Sequence, residues 1–323
     1  MKEINNEIIQ VAYYYYKLNL NQQEIATKLN ISRQKVNRLI QRALTENIVE
    51  IKINGYENFD IDLEYRLECK YGLHKAIVVK DNIDTNPIGI AASVYLNKLI
   101  DYVIEEKKKC SIGISWGNAL SNMTRNYQKD GLKGTDVSVV QLCGGINTNE
   151  VEIKPEEVTN ELAIILGGKA YNLFAPALLE NKELVKLLKK EKYYSNILQK
   201  YKKLDISVVG IGNLDEEGTL VKYSYIEDDI YEKLHEHAAI GDICFRMFND
   251  EGERVVTYLD DLIMGISSED YMQIPYRIGI AYGDNKVSQI KAAIKGQIIN
   301  ILITDDQTVK KILDEELTVS IRG

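Results

Sequence analysis

The stretch from Asn21 to Val49 reads NQQEIATKLNISRQKVNRLIQRALTENIV and holds two short helical patterns separated by a tight turn. The first pattern places three apolar residues, Ile25, Ala26 and Leu29, on one face of a helix. The second repeats apolar residues at helical spacing between Val36 and Ala43. Two short helices joined by a tight turn, the second of them basic, predict a helix-turn-helix whose second helix enters the major groove of DNA.

The turn between the two patterns carries residues that suit its backbone. Asn30 belongs to the few residue types other than glycine that tolerate a left-handed conformation. Ser32 is placed to cap the N-terminus of the second helix. Four basic side chains fall largely away from the apolar face of that helix: Arg33, Lys35, Arg38 and Arg42. An ordinary helical hairpin with a solvated basic face is the alternative interpretation.

The flanking residues favour the DNA-binding interpretation. Ile4 to Leu18 forms a helical pattern long enough to complete a three-helix core, and Asn47 to Ile53 alternates in the manner of a short strand. We therefore predict a helix-turn-helix DNA-binding domain over residues 1–53. Residues 54–58 contain a glycine and polar residues without periodicity, which predicts a linker.

The distribution of charge agrees with a DNA-binding head. The chain of 323 residues carries a formal net charge of −8. Its first 53 residues contain eight Lys and Arg against five Asp and Glu, a net charge of +3, which leaves −11 for the remainder. A basic head on an acidic body is expected when only the head contacts the phosphate groups of a nucleic acid.

Composition narrows the class of protein. Hydrophobic residues make up 45% of the chain and charged residues 27%, which is typical of a soluble globular protein. No apolar run approaches a membrane span, and the N-terminus lacks the design of a signal peptide. The four cysteines include no CxxC pair, so the pattern predicts neither a zinc site nor a disulfide framework. We expect a cytoplasmic protein with no metal, no cofactor and no membrane contact.

The remainder of the chain, residues 59–323, alternates apolar strands with helical patterns. Near-continuous apolar strands separated by helices predict a doubly wound α/β domain with a largely parallel sheet, whose ligands bind at the carboxyl ends of the strands. The predicted strands are Ala76–Val79, Ser111–Ser115, Val137–Leu142, Ala170–Phe174, Ile206–Ile211, Ile243–Phe248, Arg277–Ala281 and Ile299–Ile303. The predicted helices between them are Pro87–Lys107, Asn118–Gln128, Glu156–Leu166, Asn181–Lys202, Glu227–Ala239 and Asn285–Ile294.

The clearest candidate for a ligand site follows the second of these strands. The segment SIGISWGNAL runs from a strand through Ser115 and Gly117 into a helix, so backbone N–H groups and a helix N-terminus can approach an anion. This chemistry suits phosphate, although the spacing matches neither the Walker A nor the dinucleotide motif. A plain strand-to-helix turn explains the segment equally well. Four further glycine-containing segments lie beside strands: QLCGGI, VGIGNL, GDICFRMFNDEG and AYGDNKVSQIKAAI.

The chain resembles the SorC family of bacterial sugar-responsive transcription regulators over almost its whole length. The segment AYYYYKLNLNQQEIATKLNISRQKVNRLIQRALTENIVEIKI resembles the DNA-binding domain of that family. The segments GISWGNAL, VVQLCGGI, VVGIGNL, GDICFRMFNDEG and GDNKVSQIKAAIKGQIINILITDD resemble its effector domain, in that order. The likeness looks closest to the deoxyribonucleoside-regulator branch. Asn30 and Asn47 depart from the pattern, since glycine is usual at both positions.

The family resemblance implies a domain similar in fold to sugar-phosphate isomerases and retained as a sensor of a phosphorylated sugar. Residues that would hold the phosphate are Gly113, Ser115, Gly117, Asn118 and Ala119. Asp242 would accept hydrogen bonds from sugar hydroxyl groups, and Lys286 would add positive charge near the phosphate. A structural cap is the alternative role for Asp242.

Cys143, which precedes Gly144 in the candidate effector site, departs from the family pattern. Related sequences often carry a basic residue there, and a lysine could pair with phosphate or form a Schiff base with an aldehyde sugar. Cysteine can do neither, so phosphate must depend more on backbone donors and on Lys286. The simplest interpretation is that Cys143 is a small buried hydrophobe.

We expect the protein to bind a double-stranded DNA operator as part of a homo-oligomer, a dimer or a tetramer. The candidate DNA-contacting residues are Gln22, Gln23, Ser32, Arg33, Gln34, Lys35, Asn37, Arg38 and Arg42. A bound sugar phosphate would shift operator affinity by binding one subunit arrangement better than another.

Three other functions fit parts of the sequence. The domain could sense an unphosphorylated sugar or polyol, or it could be an empty scaffold on a constitutive DNA-binding protein. It could also be a sugar-phosphate isomerase or lactonase with Asp242 as general base, but no acid–base constellation accompanies this residue and we predict no catalytic group.

Overall fold

A computed structural model of the chain describes residues 6–49, 58–80, 86–128, 136–145, 154–215, 218, 234 and 236–320. The chain divides into two compact units, residues 1–55 and residues 56–323. Of the linker predicted over residues 54–58, all but residue 58 lie outside the described ranges. No helix within those ranges is long and apolar enough to cross a membrane.

The N-terminal unit contains three helices, α1 (Asn6–Tyr16), α2 (Gln22–Leu29) and α3 (Arg33–Thr45). Their apolar faces form one core, which confirms the helical periodicity of the sequence. Leu29 packs against this core while remaining half-buried. The buried members of the core are Ile8, Val11, Ala12, Ile25, Ala26, Val36, Leu39, Ile40 and Ala43.

Hydrogen bonds at the helix ends fix the turn between α2 and α3. The Asn21 side chain accepts from the backbone N–H groups of Gln23 and Glu24, both at 3.0 Å, and caps α2. Asn30 ends α2 in the left-handed conformation, with φ 56° and ψ 42°, as the sequence predicted. The Ser32 hydroxyl accepts from the N–H of Lys35 at 3.1 Å and caps α3.

The segment after α3 differs from the strand predicted over Asn47–Ile53. Residues 47–49 form a turn and a bend, with Asn47 at φ 55°, and residues 50–53 lie outside the described ranges. The backbone N–H groups of Ile48 and Val49 both donate to the carbonyl oxygen of Ala43 at 2.9 Å, so these residues continue the helix end instead of extending away.

The C-terminal unit is built on a seven-stranded parallel sheet with the strand order β1-β10-β9-β5-β2-β3-β4. A smaller antiparallel sheet has the order β6-β7-β8. The strands are β1 (Lys75–Val79), β2 (Lys109–Ile114), β3 (Asp136–Gln141), β4 (Lys169–Tyr171), β5 (Ile206–Val209), β6 (Gly212–Asn213), β7 (Gly241–Ile243), β8 (Arg246–Phe248), β9 (Tyr276–Ile280) and β10 (Ile301–Asp305).

The order of the strands reverses between β2 and β5. From β2 the chain proceeds to β3 and β4 on one side, and it then returns to place β5 against the other side of β2. The connections on either side of such a switch point leave in opposite directions, which opens a crevice at the carboxyl ends of the strands. This crevice holds the cavity described below.

Helices connect the strands of the C-terminal unit, mostly as the sequence predicted. One exception is the single helix predicted over Asn181–Lys202, because the extended backbone of Glu191 (φ −60°, ψ 140°) divides it. The helix predicted over Glu227–Ala239 lies largely outside the described ranges. The helices are α4 (Ile61–Tyr71), α5 (Asn86–Lys107), α6 (Asn118–Arg125), α7 (Pro155–Leu166), α8 (Lys182–Lys190), α9 (Lys192–Tyr201), α10 (Ser268–Met272), α11 (Val287–Lys295) and α12 (Asp306–Ser320).

The large sheet is covered on both faces. Along β1, Ala76 and Val78 pack in one apolar cluster, while Ile77 and Val79 pack in the other. Because successive side chains of a strand point to opposite faces, burial of both sets produces the near-continuous apolar strands seen in the sequence.

The strand predicted over Ile243–Phe248 is wrong, because this segment forms a tight hairpin. Ile243 pairs with Arg246 across a two-residue turn of Cys244 and Phe245, whose φ angles are 54° and 65°. Positive φ at both central residues is the conformation that matches the twist of a hairpin, although Asn and Gly usually supply it. The apolar run ICF therefore gave no sign of a turn, and local periodicity indicated an uninterrupted strand.

Candidate functional site

A cavity of about 280 Å³ lies at the carboxyl ends of the central strands. Segments after β2, β3, β5 and β9 contribute to it together with the β7–β8 hairpin, so residues far apart in the sequence converge there. Its lining consists of Ser115, Trp116, Gly117, Asn118, Ala119, Leu120, Cys143, Gly210, Ile211, Gly212, Asp242, Cys244, Phe245, Ile280, Ala281, Tyr282 and Lys286. We call it the effector cavity.

One end of the effector cavity is formed by the N-terminus of α6. Gly117 precedes this helix with φ 128°, a conformation that L side chains rarely adopt, and no side chain caps the helix there. The first N–H groups of a helix have no partner within it, and Asn118, Ala119 and Leu120 line the cavity. This end therefore offers backbone donors and the positive end of a helix dipole to an anion.

Lys286 brings a cation to the same cavity. Its Nζ donates to the carbonyl oxygen of Ile211 at 2.6 Å, which holds the side chain beside the segment that follows β5. Burial lowers the pKa of Lys286, while the nearby carboxylates of Asp242 and Asp215 act in the opposite direction. A bound anion would favour the charged form further and would share the ammonium with these carboxylates.

Asp242 supplies the acidic group of the cavity. Burial raises the pKa of its carboxyl group to about 6, although the N–H of Phe245 and the charge of Lys286 oppose this rise. Its Oδ2 accepts from the N–H of Phe245 at 2.9 Å, so Asp242 is also the cap of the hairpin turn. A Cβ atom on Gly212 would lie 1.9 Å from its Oδ1, so only glycine fits opposite this oxygen. Near pH 6 such a carboxyl group can both accept and donate hydrogen bonds to hydroxyl groups.

Aromatic and thiol side chains complete the lining. The ring of Trp116 lies 6.2 Å from that of Phe245, and its Nε1 donates to the carbonyl oxygen of Gly144 at 3.1 Å. Cys143 and Cys244 are 2% and 6% exposed, which confirms the prediction that Cys143 is buried. The described residues contain no group of three or more His, Cys, Asp and Glu that could hold a metal ion.

Two predicted effector-binding residues do not line the effector cavity. Gly113 lies within β2, where an added Cβ atom would come 2.5 Å from Leu142 and 2.8 Å from Leu204. Gly144 lies against the backbone of a neighbouring segment, since its N–H donates to the carbonyl oxygen of Met264 at 2.9 Å. Both glycines therefore allow close packing behind the cavity. A sequence motif does not distinguish a glycine needed for packing from a glycine that contacts a ligand.

Several lining residues were not singled out in the sequence. Gly210 and Gly212 belong to the segment VGIGNL, which was already recognised as one of the glycine-containing loops. Phe245 and Tyr282 lie in the recognised segments GDICFRMFNDEG and AYGDNKVSQIKAAI, but neither was singled out, because an aromatic residue beside a strand is usually part of the core. Only the hairpin turn and the end of β9 bring them to the ligand side.

The solvent-exposed surface of α3 carries polar and basic side chains. Arg33, Gln34, Asn37 and Arg38 are exposed, and Gln41 extends the same surface although it was not among the predicted contacts. The opposite side of the helix packs in the core of the unit. Gln22 of α2 donates to Asn37 at 3.2 Å and joins this surface. We call these residues the recognition surface.

Other predicted DNA-contacting residues have partners inside the unit. Lys35 donates to Glu7 of α1 at 2.7 Å and is half-buried, so its charge is directed toward α1. Arg42 pairs with Glu46 at 2.7 Å at the end of α3. Ser32 is exposed and serves as the helix cap, while Gln23 is exposed on α2.

Comparison with protein families and known proteins agrees with this arrangement. Residues 57–314 match the family described as "Putative sugar-binding domain", and residues 2–46 match "Sigma-70, region 4". The chain is 30% identical to the deoxyribonucleoside regulator of Bacillus subtilis (strain 168), over 95% of this chain and 97% of that protein. It is 28% identical to the sorbitol operon regulator of Klebsiella pneumoniae, with coverage of 95% and 97%.

The fold has the same counterpart among solved structures. The crystal structure of the full-length sorbitol operon regulator SorC from Klebsiella pneumoniae aligns with a TM-score of 0.71 at 26% identity. The alignment covers 97% of this chain and all of that one (100%). The named relatives are regulators of transcription, and the chain shares both their helical N-terminal segment and their parallel-sheet domain. The chain belongs to the SorC family of sugar-binding transcription regulators.

Proposed function

We propose that this regulator binds an operator through the recognition surface of α3 and that a phosphorylated sugar in the effector cavity controls its operator affinity. The main support for the proposal is that one cavity combines donors for an anion with a carboxyl group. The N-terminus of α6 offers backbone donors, and the ammonium of Lys286 and the carboxyl group of Asp242 interact with each other in the same lining. A sugar phosphate has a matching combination of an anionic group and hydroxyl groups.

The donor groups of the cavity suit phosphate for electrostatic reasons. A helix N-terminus favours negative charge, and the half-buried position of Lys286 reduces competition from water for its ammonium. Burial lowers the pKa of Lys286, and a bound anion would oppose this shift by favouring the charged ammonium. Because position 143 holds a cysteine instead of a basic residue, phosphate would depend more on these groups.

The carboxyl group of Asp242 suits a sugar. Carboxylates accept hydrogen bonds from hydroxyl groups, and the half-protonated state of Asp242 near pH 6 allows donation as well. Trp116 and Phe245 add aromatic faces against which the C–H groups of a sugar ring can pack. A phosphate ester of a small sugar would thus use every type of group in the lining.

A sensor of an unphosphorylated sugar or polyol is the second candidate. The observation that favours it is that Lys286 is already engaged by the carbonyl oxygen of Ile211 and balanced by Asp242 and Asp215. The sorbitol operon regulator is among the similar proteins. In this case the hydroxyl groups of the ligand would replace the phosphate at the N-terminus of α6.

Control of DNA binding requires more than one subunit arrangement. We propose a homo-oligomer, a dimer or a tetramer, whose α3 helices contact the two halves of a pseudo-palindromic operator. The effector would shift operator affinity by the difference in its own affinity for the two arrangements. We place this activity in the cytoplasm because the proposed partner is operator DNA.

Thermal unfolding of the full-length protein with a panel of sugar phosphates and their parent sugars tests the ligand. A ligand bound only to the folded state at about 100 times its Kd adds about 2.7 kcal/mol, which raises Tm by several degrees. We expect one phosphate ester to raise Tm while its parent sugar and inorganic phosphate do not. A rise with the parent sugar alone would support the second candidate, and no rise with any compound would contradict both.

A further inference from the structure

Two thiol groups meet inside the effector cavity. Cys143 follows β3, Cys244 lies in the turn of the β7–β8 hairpin, and both line the cavity. The side chains of Cys143 and Cys244 interact with each other. The described part of the chain contains two more cysteines, of which Cys110 is buried outside this cavity and Cys69 is exposed. Proximity to a second thiol therefore distinguishes the pair within the cavity.

The two cysteines lie on separate segments that are held next to each other. Cys143 pairs with Gly265 in an antiparallel bridge, and its carbonyl oxygen accepts from Nε2 of Gln141 at 2.8 Å. Cys244 lies in the two-residue turn of the β7–β8 hairpin, and Nε of Arg246 in that hairpin donates at 3.2 Å to the carbonyl oxygen of Ile266, the residue after Gly265. A disulfide requires a defined separation and dihedral angle of the two sulfur atoms. These contacts bring both cysteines to one place, where rotation about their side-chain bonds can produce that geometry.

We propose that Cys143 and Cys244 form a reversible disulfide inside the effector cavity when the protein meets a two-electron oxidant such as hydrogen peroxide. One sulfur attacks a peroxide oxygen and forms a sulfenic acid as the O–O bond breaks and the first water leaves. The second sulfur then attacks the sulfenic sulfur and displaces the second water. The two thiols lose two protons and two electrons, which convert one peroxide into two molecules of water.

The chemistry of the cavity makes this reaction slow and dependent on access. Interaction with the Cys143 thiol, burial and the charge of Asp242 all raise the pKa of the Cys244 thiol well above its usual value. The thiolate is the nucleophile, so a raised pKa reduces the reactive fraction. Peroxide is small enough to enter the cavity from solvent, whereas a bound effector would exclude it. The pair therefore responds to sustained oxidation of the unliganded protein.

The disulfide would alter the position of Asp242 in the cavity. Cys244 lies between Asp242 and Phe245, and the Asp242 carboxylate holds the turn by accepting from the N–H of Phe245 at 2.9 Å. Moving the Cys244 sulfur to within bonding distance of Cys143 changes the turn that positions both groups. We expect the oxidised protein to lose effector binding. This consequence rests on the proposed function, but formation of the disulfide does not.

Peptide mapping of the full-length protein tests the disulfide directly. The protein is treated with hydrogen peroxide, its remaining thiols are alkylated after denaturation, and peptides are analysed by mass spectrometry without reduction. We expect a linked pair of peptides containing Cys143 and Cys244, two hydrogen atoms lighter than the separate thiol peptides and released by dithiothreitol. Exposed Cys69 records that the oxidant acted, and Cys110 remains a thiol. Oxidised Cys69 with alkylated Cys143 and Cys244 would overturn the proposal.

Matched cysteine variants provide a second readout. Cys143→Ala and Cys244→Ala should each abolish the linked peptide, whereas Cys110→Ala, which also removes a buried thiol, should retain it. Trp116 belongs to the cavity lining and is the single tryptophan of the chain, so a neighbouring disulfide should quench its fluorescence. Reversible quenching in the wild type and its loss in Cys143→Ala are expected. Equal quenching in Cys143→Ala would contradict the assignment, and the wild-type peptide map decides if a variant fails to fold.

Effector binding separates this proposal from the proposed function. The Tm rise given by a stabilising sugar phosphate should disappear in the oxidised protein and return after reduction. A linked pair with an unchanged Tm rise would overturn the coupling to effector binding. A linked pair in a protein that no sugar phosphate stabilises would support the disulfide and contradict the phosphorylated effector.

Discussion

The two candidate sites differ in the solvent exposure of their charged side chains. The recognition surface of α3 presents Arg33 and Arg38 to water, beside exposed amides that can read base edges. The effector cavity instead encloses one ammonium and one carboxyl group, and burial shifts the pKa of both Lys286 and Asp242 toward the neutral form. Charge on the helix is therefore available for long-range attraction of DNA, whereas charge in the cavity is tuned by its neighbours.

This difference has a consequence for how each site can be altered. The exposed arginines of the recognition surface can change without affecting the fold, because their proposed partner is outside the protein. A side chain of the effector cavity is part of an internal network, so its replacement changes both ligand binding and stability. Substitutions at each site test that contrast.

Charge reversal on the recognition surface should have the largest effect. For Arg38→Glu we expect operator affinity to fall about 100-fold or more, since loss of an arginine contact costs about 1–3 kcal/mol and a carboxylate repels phosphate. Binding is measured by fluorescence anisotropy with an operator selected from random DNA by the wild-type protein. Lys17→Glu reverses an exposed charge beyond α1 and is the control. Equal losses in the two variants would contradict a specific role for α3.

Removal of the cavity ammonium should have the next largest effect. Lys286→Met keeps the length of the side chain and should weaken binding of the stabilising sugar phosphate about 10- to 100-fold, because a charged hydrogen bond contributes about 1.5–3 kcal/mol. Titration calorimetry measures the change, with Lys203→Met at an exposed position as the control. An unchanged affinity for the sugar phosphate would remove Lys286 from the phosphate site.

The buried carboxyl group should give a smaller effect that depends on pH. The pKa of Asp242 is raised to about 6 from a usual 3.8, so between about pH 4 and pH 6 the unfolded chain loses this proton before the folded protein does. Wild-type stability should therefore fall relative to Asp242→Asn as pH rises through that window, and the gap should level off above about pH 7. With allowance for water in the cavity, we expect a gap of about 1–2 kcal/mol.

Urea unfolding of both proteins at several pH values measures this gap. In the Asp242→Asn variant the amide oxygen of the new side chain can still accept from the N–H of Phe245, so the hairpin turn is preserved. Asp250→Asn replaces an exposed carboxylate with the same amide and is the control. A gap that is the same at pH 4.5 and pH 7.5 would show that ionisation of Asp242 does not contribute.

The turn of the N-terminal unit should give the smallest effect. Asn30→Ala places a residue without a helpful side chain at φ 56° and should destabilise α2 and α3 by about 1 kcal/mol. Asn30→Gly should be neutral or slightly stabilising, since glycine adopts this conformation without steric cost. Hydrogen exchange of the amides between residues 22 and 45 measures both changes in the full-length protein. Equal exchange in Asn30→Ala and Asn30→Gly would show that the left-handed turn costs nothing.

The sequence predicted the architecture of both units because each depends on local patterns. A period near 3.6 residues identified α3 and its buried Val36, and unbroken apolar runs identified the strands of a sheet covered on both faces. The predicted bounds of helices and strands were wrong where one or two residues changed the direction of the backbone. Glu191 divided a predicted helix, and two residues with positive φ folded the run from Ile243 to Phe248 into a hairpin.

The candidate effector site was predicted less completely than the fold. Glycine-containing segments indicated Ser115, Gly117 and Lys286, because small residues beside strands allow a close approach of backbone. The same signal also selected Gly113 and Gly144, where the space is used for packing. A glycine motif indicates that a side chain would not fit, but it does not indicate whether a ligand or a neighbouring side chain fills the space.

The sequence was enough to predict a three-helix unit with a basic helix, an acidic α/β unit and the approximate edge of the sheet where we propose that a ligand binds. These follow from periodicity, charge and the rule that loops after parallel strands share one edge. Tertiary structure alone decided that Lys35 pairs with Glu7, that Asp242 caps a turn with its carboxyl pKa near 6, and that Cys143 meets Cys244. Contacts of this kind join residues distant in the chain, and burial sets their energies, so no local pattern contains them.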